Sequence, residues 1–118
     1  MSYDLSFWKY KPGVTLKHQS TYDNLSEGTH VEGVEDLPIQ AMLTRLEAHF
    51  SDGWKQSEPM TWQSAERGSF QVFTTPQLFR IDCYDMDGED MNRFIDLGAE
   101  FDCPLYDPQV STRFDGSN

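Results

Sequence analysis

The sequence has no run near the roughly 20 consecutive apolar residues that a membrane-spanning helix needs. Its opening, Met1-Ser-Tyr-Asp-Leu-Ser-Phe-Trp-Lys-Tyr, has no long apolar segment of the signal-peptide kind. The expectation is a cytoplasmic protein without a membrane partner. Cysteine is scarce too. Cys83 and Cys103 stand twenty residues apart and form neither a CxxC redox pair nor a zinc-knuckle spacing. Without an export signal they are expected as reduced, buried thiols. Positive charge is the third shortage: nine Lys and Arg face 20 Asp and Glu, for a formal net charge of −11. That balance argues against direct nucleic-acid binding, which needs a basic patch against phosphates, and against anionic membrane surfaces. Gly-rich phosphate loops, GxSxG and HExxH are all absent, so no motif supports catalysis. His18, His30 and His49 lack metal-site spacing, and neither a cofactor nor a metal is expected.

What is present is aromatic. Eight Phe, three Trp and five Tyr in 118 residues supply the bulk for one folded domain spanning 1–118. Tyr3 to Tyr10 alternates like a half-buried strand, with Tyr3, Leu5 and Phe7 on one face. Ser20 to Glu27 reads as a short helix with Ser20 as N-cap and Gly28 as stop. Asp36 reads as the N-cap of a longer helix carrying Ile39, Met42, Leu43, Leu46 and Phe50 on one stripe. A less regular segment follows, with a short strand near Thr61 to Ser64. The runs Phe70 to Thr75 and Leu78 to Tyr84 form a hairpin around Thr75-Pro76-Gln77, with Phe79, Ile81 and Cys83 inward. Asp87 caps a second main helix from about Gly88 to Phe101, with Met91, Phe94, Ile95, Gly98 and Phe101 on its apolar face. Cys103-Pro-Leu-Tyr returns as a last strand, and Asp107-Pro108 opens a polar tail that includes Phe114. The expected fold is α+β: an antiparallel sheet with two main helices on one face, ferredoxin-like (βαββαβ) or related, with additions after the first strand and at the C-terminus.

Charge is unevenly placed. From Asp82 to Asp107 nine acidic residues face one basic residue, Arg93. A field of this kind is suited to steering a cationic partner or holding a metal. Asp85, Asp87 and Gly88 match the middle of a calcium loop, but Cys83 and Phe94 occupy the positions where the flanking carboxylates belong. Asp87 as cap, with Glu89 and Asp90 in the first turn, is the simpler account. Glu89, Asp96 and Glu100 project from one line of the helix, with Arg93 placed to balance Glu89 and Asp96 through i,i+4 and i,i+3 contacts. The candidate partner-binding residues are therefore Asp85, Asp87, Glu89, Asp96 and Glu100. Trp8 and Tyr10 are candidate aromatic anchors if their strand face is open.

The opening Met1-Ser-Tyr-Asp-Leu-Ser-Phe-Trp-Lys, with Phe79-Arg-Ile-Asp-Cys-Tyr, Gly88-Glu-Asp-Met-Asn and Cys103-Pro-Leu-Tyr-Asp-Pro-Gln, resembles bacterial immunity proteins of the contact-dependent growth inhibition kind. The resemblance implies a non-enzymatic cytoplasmic protein that binds the C-terminal domain of a cognate toxin and covers its active site or substrate-binding surface. The implied partner is a basic nuclease, an RNase, which an acidic protein can meet by imitating phosphate charge. Two rivals remain: a small hydrolase using Asp82 and Asp85 with a histidine, and a divalent-metal module centred on Asp85, Asp87 and Glu89.

Overall fold

A computed structural model describes residues 2–114. Its elements run β1 (Ser2–Phe7), α1 (His18–Ser26), α2 (Ile39–His49), β2 (Lys55–Glu58), β3 (Thr61–Ser64), β4 (Gly68–Thr75), β5 (Leu78–Tyr84), α3 (Gly88–Glu100), β6 (Leu105–Asp107) and β7 (Thr112–Phe114). The seven strands form one antiparallel sheet in the order β2-β3-β4-β5-β1-β6-β7. The α+β class is as expected. Seven strands and three helices, however, give an order different from a four-stranded ferredoxin-like sheet.

The β4–β5 hairpin forms as its sequence predicts, pairing from Ser69↔Tyr84 to Thr75↔Leu78 around Pro76-Gln77. β1 then occupies the sheet interior, paired along its length with β5 and at Ser6 and Phe7 with β6. Period-two alternation directs Leu5, Phe7, Phe70, Val72, Phe79, Ile81 and Cys83 into one core cluster, which Met42 and Leu46 of α2 and Phe94 and Leu97 of α3 complete. Within it Phe50 stacks on Phe94 at 4.7 Å between ring centroids, and Phe70 lies 4.9 Å from both. Each ring fully buried here stabilises the fold by about 2–3 kcal/mol.

The other face is covered as well. Trp8, Leu78 and Tyr106 pack there with Leu25 of α1 and with Val34, forming a second cluster. α1 begins at His18 rather than after Ser20, its N-cap Lys17 makes no side-chain cap, and Thr21 and Leu25 are its buried residues. α2 starts at Ile39 behind Pro38, so Asp36 is not its cap. In α3 the Asp87 carboxylate accepts the Asp90 N–H at 2.9 Å, as expected of a cap. Its buried face is rotated from the expected one: Leu97 is 1 % exposed, whereas Ile95 is 37 % exposed. Two strands were not expected. β2 is exposed at every residue and so shows no alternation, while Thr112–Phe114 pairs with β6 instead of forming polar tail. The rest of that expected tail, 115–118, lies outside the described residues. Among the described residues no helix is long and apolar enough to cross a membrane.

Candidate functional site

α3 is held against the sheet by a close approach at its C-terminal end. A Cβ on Gly98 would lie 2.6 Å from two Phe7 ring carbons and 2.9 Å from the Cys103 carbonyl, so only glycine fits this crossing. At the other end Asp90 is 5 % exposed and forked by Arg67, whose Nε and Nη2 donate at 3.1 and 2.6 Å. Arg93 adds a third contact at 3.3 Å. The Arg67 guanidinium holds the Asp90 carboxyl below the usual range, against the opposing effect of its burial. Asp52 joins the seam through Arg93 at 3.0 Å, and Arg93 also donates to the His49 carbonyl and lies over the Phe50 ring.

This inward turn of Arg93 changes the outer face of the helix. The expected Glu89–Arg93–Asp96 balance does not form, and neither Glu89 nor Asp96 has an ion pair among the described residues. Asp85 is likewise exposed and without an ion pair there, in the turn after β5 with φ +57°. Glu100 differs from them. Arg45 donates to it at 2.7 Å and His49 bonds it at 2.7 Å, which together hold its carboxyl at about 2 and tie α3 to α2. Asp87 serves the helix cap. Of the five candidate carboxylates, then, Asp85, Glu89 and Asp96 stand open, while Asp87 and Glu100 have intramolecular partners.

The aromatic candidates are placed otherwise than expected of anchors. Trp8 lies opposite Phe7 on β1's extension, but α1 and the segment around Val34 cover that face, leaving it 0 % exposed. Tyr10 is half-buried, its hydroxyl 2.8 Å from His18 Nδ1 and its ring under the Arg113 guanidinium at 4.4 Å. Trp54 and Trp62 are also core residues.

Beside the acidic helix face runs a feature absent from the sequence reading. Two hollows of about 380 and about 320 Å³ share Ile95, Leu105 and Phe114, and together make a groove between α3 and the β1, β6 and β7 strands. Tyr3, Leu5 and Met91 line its wider part, where Asp107 closes one end and accepts a hydrogen bond from the Tyr3 hydroxyl. That bond, followed by burial, raises the Tyr3 pKa. Asp102 lines the other end. Ile95 and Phe114, 37 % and 47 % exposed, project into this groove and are two of the three large apolar side chains exposed among the described residues. The only sequence signal was Phe114, an isolated aromatic in a polar stretch.

The remaining chemistry is dispersed. Asp82 pairs with Arg80 at 3.0 Å and faces Asp4 across the β1–β5 ladder, where burial and then the Asp82 charge raise the Asp4 pKa. His18 bonds Tyr10 and His49 bonds Glu100. No group of three His, Cys, Asp or Glu among the described residues is placed to hold a metal ion, Asp85, Asp87 and Glu89 included. Cys83 and Cys103 are free and buried, and burial pushes both thiols up to about 12, where they are not reactive. Beyond Pro104 a second cleft of about 380 Å³ gathers Lys9, Lys11, His18 and Arg113. Compared with protein-family models, with curated proteins and with solved structures, the chain matches none.

Proposed function

We propose that this chain is a non-enzymatic immunity protein that binds the C-terminal domain of a cognate bacterial toxin, a basic nuclease of the RNase type, and covers its active site or substrate-binding surface in the cytoplasm. The observation that carries the reading is the set of exposed carboxylates without ion pairs among the described residues, Asp85, Glu89 and Asp96, at and along α3. Carboxylates already neutralised by neighbouring arginines add little to a binding field. Open ones set the potential that a cationic surface meets during approach. On this reading the inner strands β4-β5-β1-β6, with α2 between β1 and β4 and α3 between β5 and β6, are a ferredoxin-like core onto which β2, β3 and β7 have been added. That architecture hosts many activities and so gives the surface, not the fold, the functional weight.

The first test is whether a large secreted protein with a variable C-terminal domain is encoded beside this chain, and the second is co-expression with that domain. Stopped-flow association of the two purified domains should be fast and fall steeply with salt. Glu89→Lys with Asp96→Lys should slow it by about tenfold and flatten the salt dependence. An unchanged on-rate removes α3 from the interface, and failure of the wild-type pair to associate or to protect RNA removes the reading altogether.

A further inference from the structure

We infer that the groove between α3 and the β6–β7 edge is the anchoring site for a short partner segment in which one or two bulky apolar side chains are flanked by lysine or arginine. The inference rests on the reading of the acidic helix face as a docking surface and adds the chemistry of what docks. Tyr3, Leu5, Met91, Ile95, Leu105 and Phe114 supply an apolar floor and walls. The space, about 380 Å³ in the wider part, suits side chains of Leu or Phe size and not an extended polar ligand. Ile95 and Phe114 are exposed there while Phe94 and Leu97 of α3 are packed, and an occupant of the groove would relieve their solvent contact.

Charge selects among occupants. On α3 the exposed Asp96 and Glu89 follow round the helix from Asn92 and Ile95 at about 100° per residue, on the solvent side of the groove. Asp102 lines its far end. None of these three has an ion pair among the described residues. A second copy of this chain would bring the same carboxylates against them, in a molecule whose formal net charge is −11. A cationic segment with an apolar centre satisfies both the floor and the rim, the apolar group providing residence time and the flanking charges providing orientation.

The probes are three short synthetic peptides: Leu-Phe between pairs of lysines, Ala-Ala between the same lysines, and Leu-Phe between pairs of glutamates. Titrated into the isotopically labelled full chain, the first should shift the resonances of Met91, Ile95, Leu105 and Phe114, with a dissociation constant on the order of 0.1–1 mM. The other two should bind at least about tenfold more weakly. Ile95→Lys and, separately, Phe114→Ser change exposed positions and should each weaken the first peptide by about tenfold while leaving the unfolding midpoint within error. The inference is overturned if the Ala-Ala peptide shifts the same resonances equally, if the first peptide shifts only residues elsewhere, or if the free chain sediments as a dimer that Ile95→Lys dissociates. Toxin capture that persists undiminished in Ile95→Lys sinks the groove and spares the immunity reading. Peptide binding without toxin capture does the reverse.

Discussion

Glu89 and Asp90 are neighbours in sequence, carry the same charge and face opposite environments. Asp90 is buried under a forked Arg67 with Arg93 beside it, whereas Glu89 is exposed with no ion pair among the described residues. The same division separates Glu100 and Asp52, held by Arg45, His49 and Arg93, from Asp96 and Asp85. A count of nine acids between Asp82 and Asp107 therefore overstates the field at the protein surface. Carboxylates in the seam join α3 to α2 and to the turn before β4. Carboxylates outside it repel one another, and a cationic surface would relieve that repulsion.

Asp90→Ala should give the largest loss, about 2–3 kcal/mol in urea unfolding, because it removes the helix's buried anion and leaves Arg67 and Arg93 with only the exposed Asp52 as a shared carboxylate. A loss below about 0.5 kcal/mol would put Asp90 in the same category as Glu89 and end the distinction. Next in size is Gly98→Ala, expected to cost about 1–3 kcal/mol, since the added methyl meets a buried Phe7 ring that has no room to move. Met91 and Ile95 should show the accompanying displacement by NMR, as α3 lifts from β1 and the groove widens.

Sequence reasoning located α3, its Asp87 cap and the β4–β5 hairpin because each is written in local chemistry. Long-range partners were not visible. Arg67 lies 23 positions from Asp90, and nothing in their separate surroundings joins them. Local rules instead placed Arg93 between Glu89 and Asp96, which hid the two open carboxylates. Trp8 was assigned the correct strand face, yet whether that face was open depended on where α1 and Val34 settle. Lys55–Glu58 forms an edge strand with both faces exposed, so no alternation reveals it. The groove was invisible for a related reason: it is made by the rotation of α3 that leaves Ile95 outside, a consequence of packing against Phe7 rather than of spacing.

Acid titration separates the carboxylates by sign. Glu100, Asp52 and Asp90 are held below their ordinary values, so their contribution is complete above the usual carboxylate range near 4 and is lost as pH falls, for Glu100 through a pKa of about 2. Asp4 behaves oppositely. Burial and the facing Asp82 raise its pKa, so its ionised form opposes folding at neutral pH and protonation relieves that opposition. Glu100→Gln should lower the melting temperature at pH 7, and the difference should shrink as pH falls towards 2. Asp4→Asn should raise it at pH 7, by about 2 °C, with the difference gone at pH 3. A decrease on Asp4→Asn at pH 7 would show that the Tyr22 hydroxyl, 3.4 Å from the carboxylate, outweighs the repulsion.

The smallest stability effect is expected on the helix face proposed for binding. Glu89→Lys with Asp96→Lys deletes no side-chain hydrogen bond or ion pair among the described residues and reduces the net negative charge, so unfolding free energy should stay within about 0.5 kcal/mol of wild type. An increase within that margin is the direction expected from reduced self-repulsion. Glu89 sits in the first turn of α3, where a carboxylate favours the helix dipole, so its replacement alone should be slightly worse than replacement of Asp96. A double variant that unfolds like wild type yet associates about tenfold more slowly separates binding charge from structural charge in one molecule. A double variant as damaging as Asp90→Ala would mean that these carboxylates also hold the fold, and that the two sides of α3 differ in exposure but not in role.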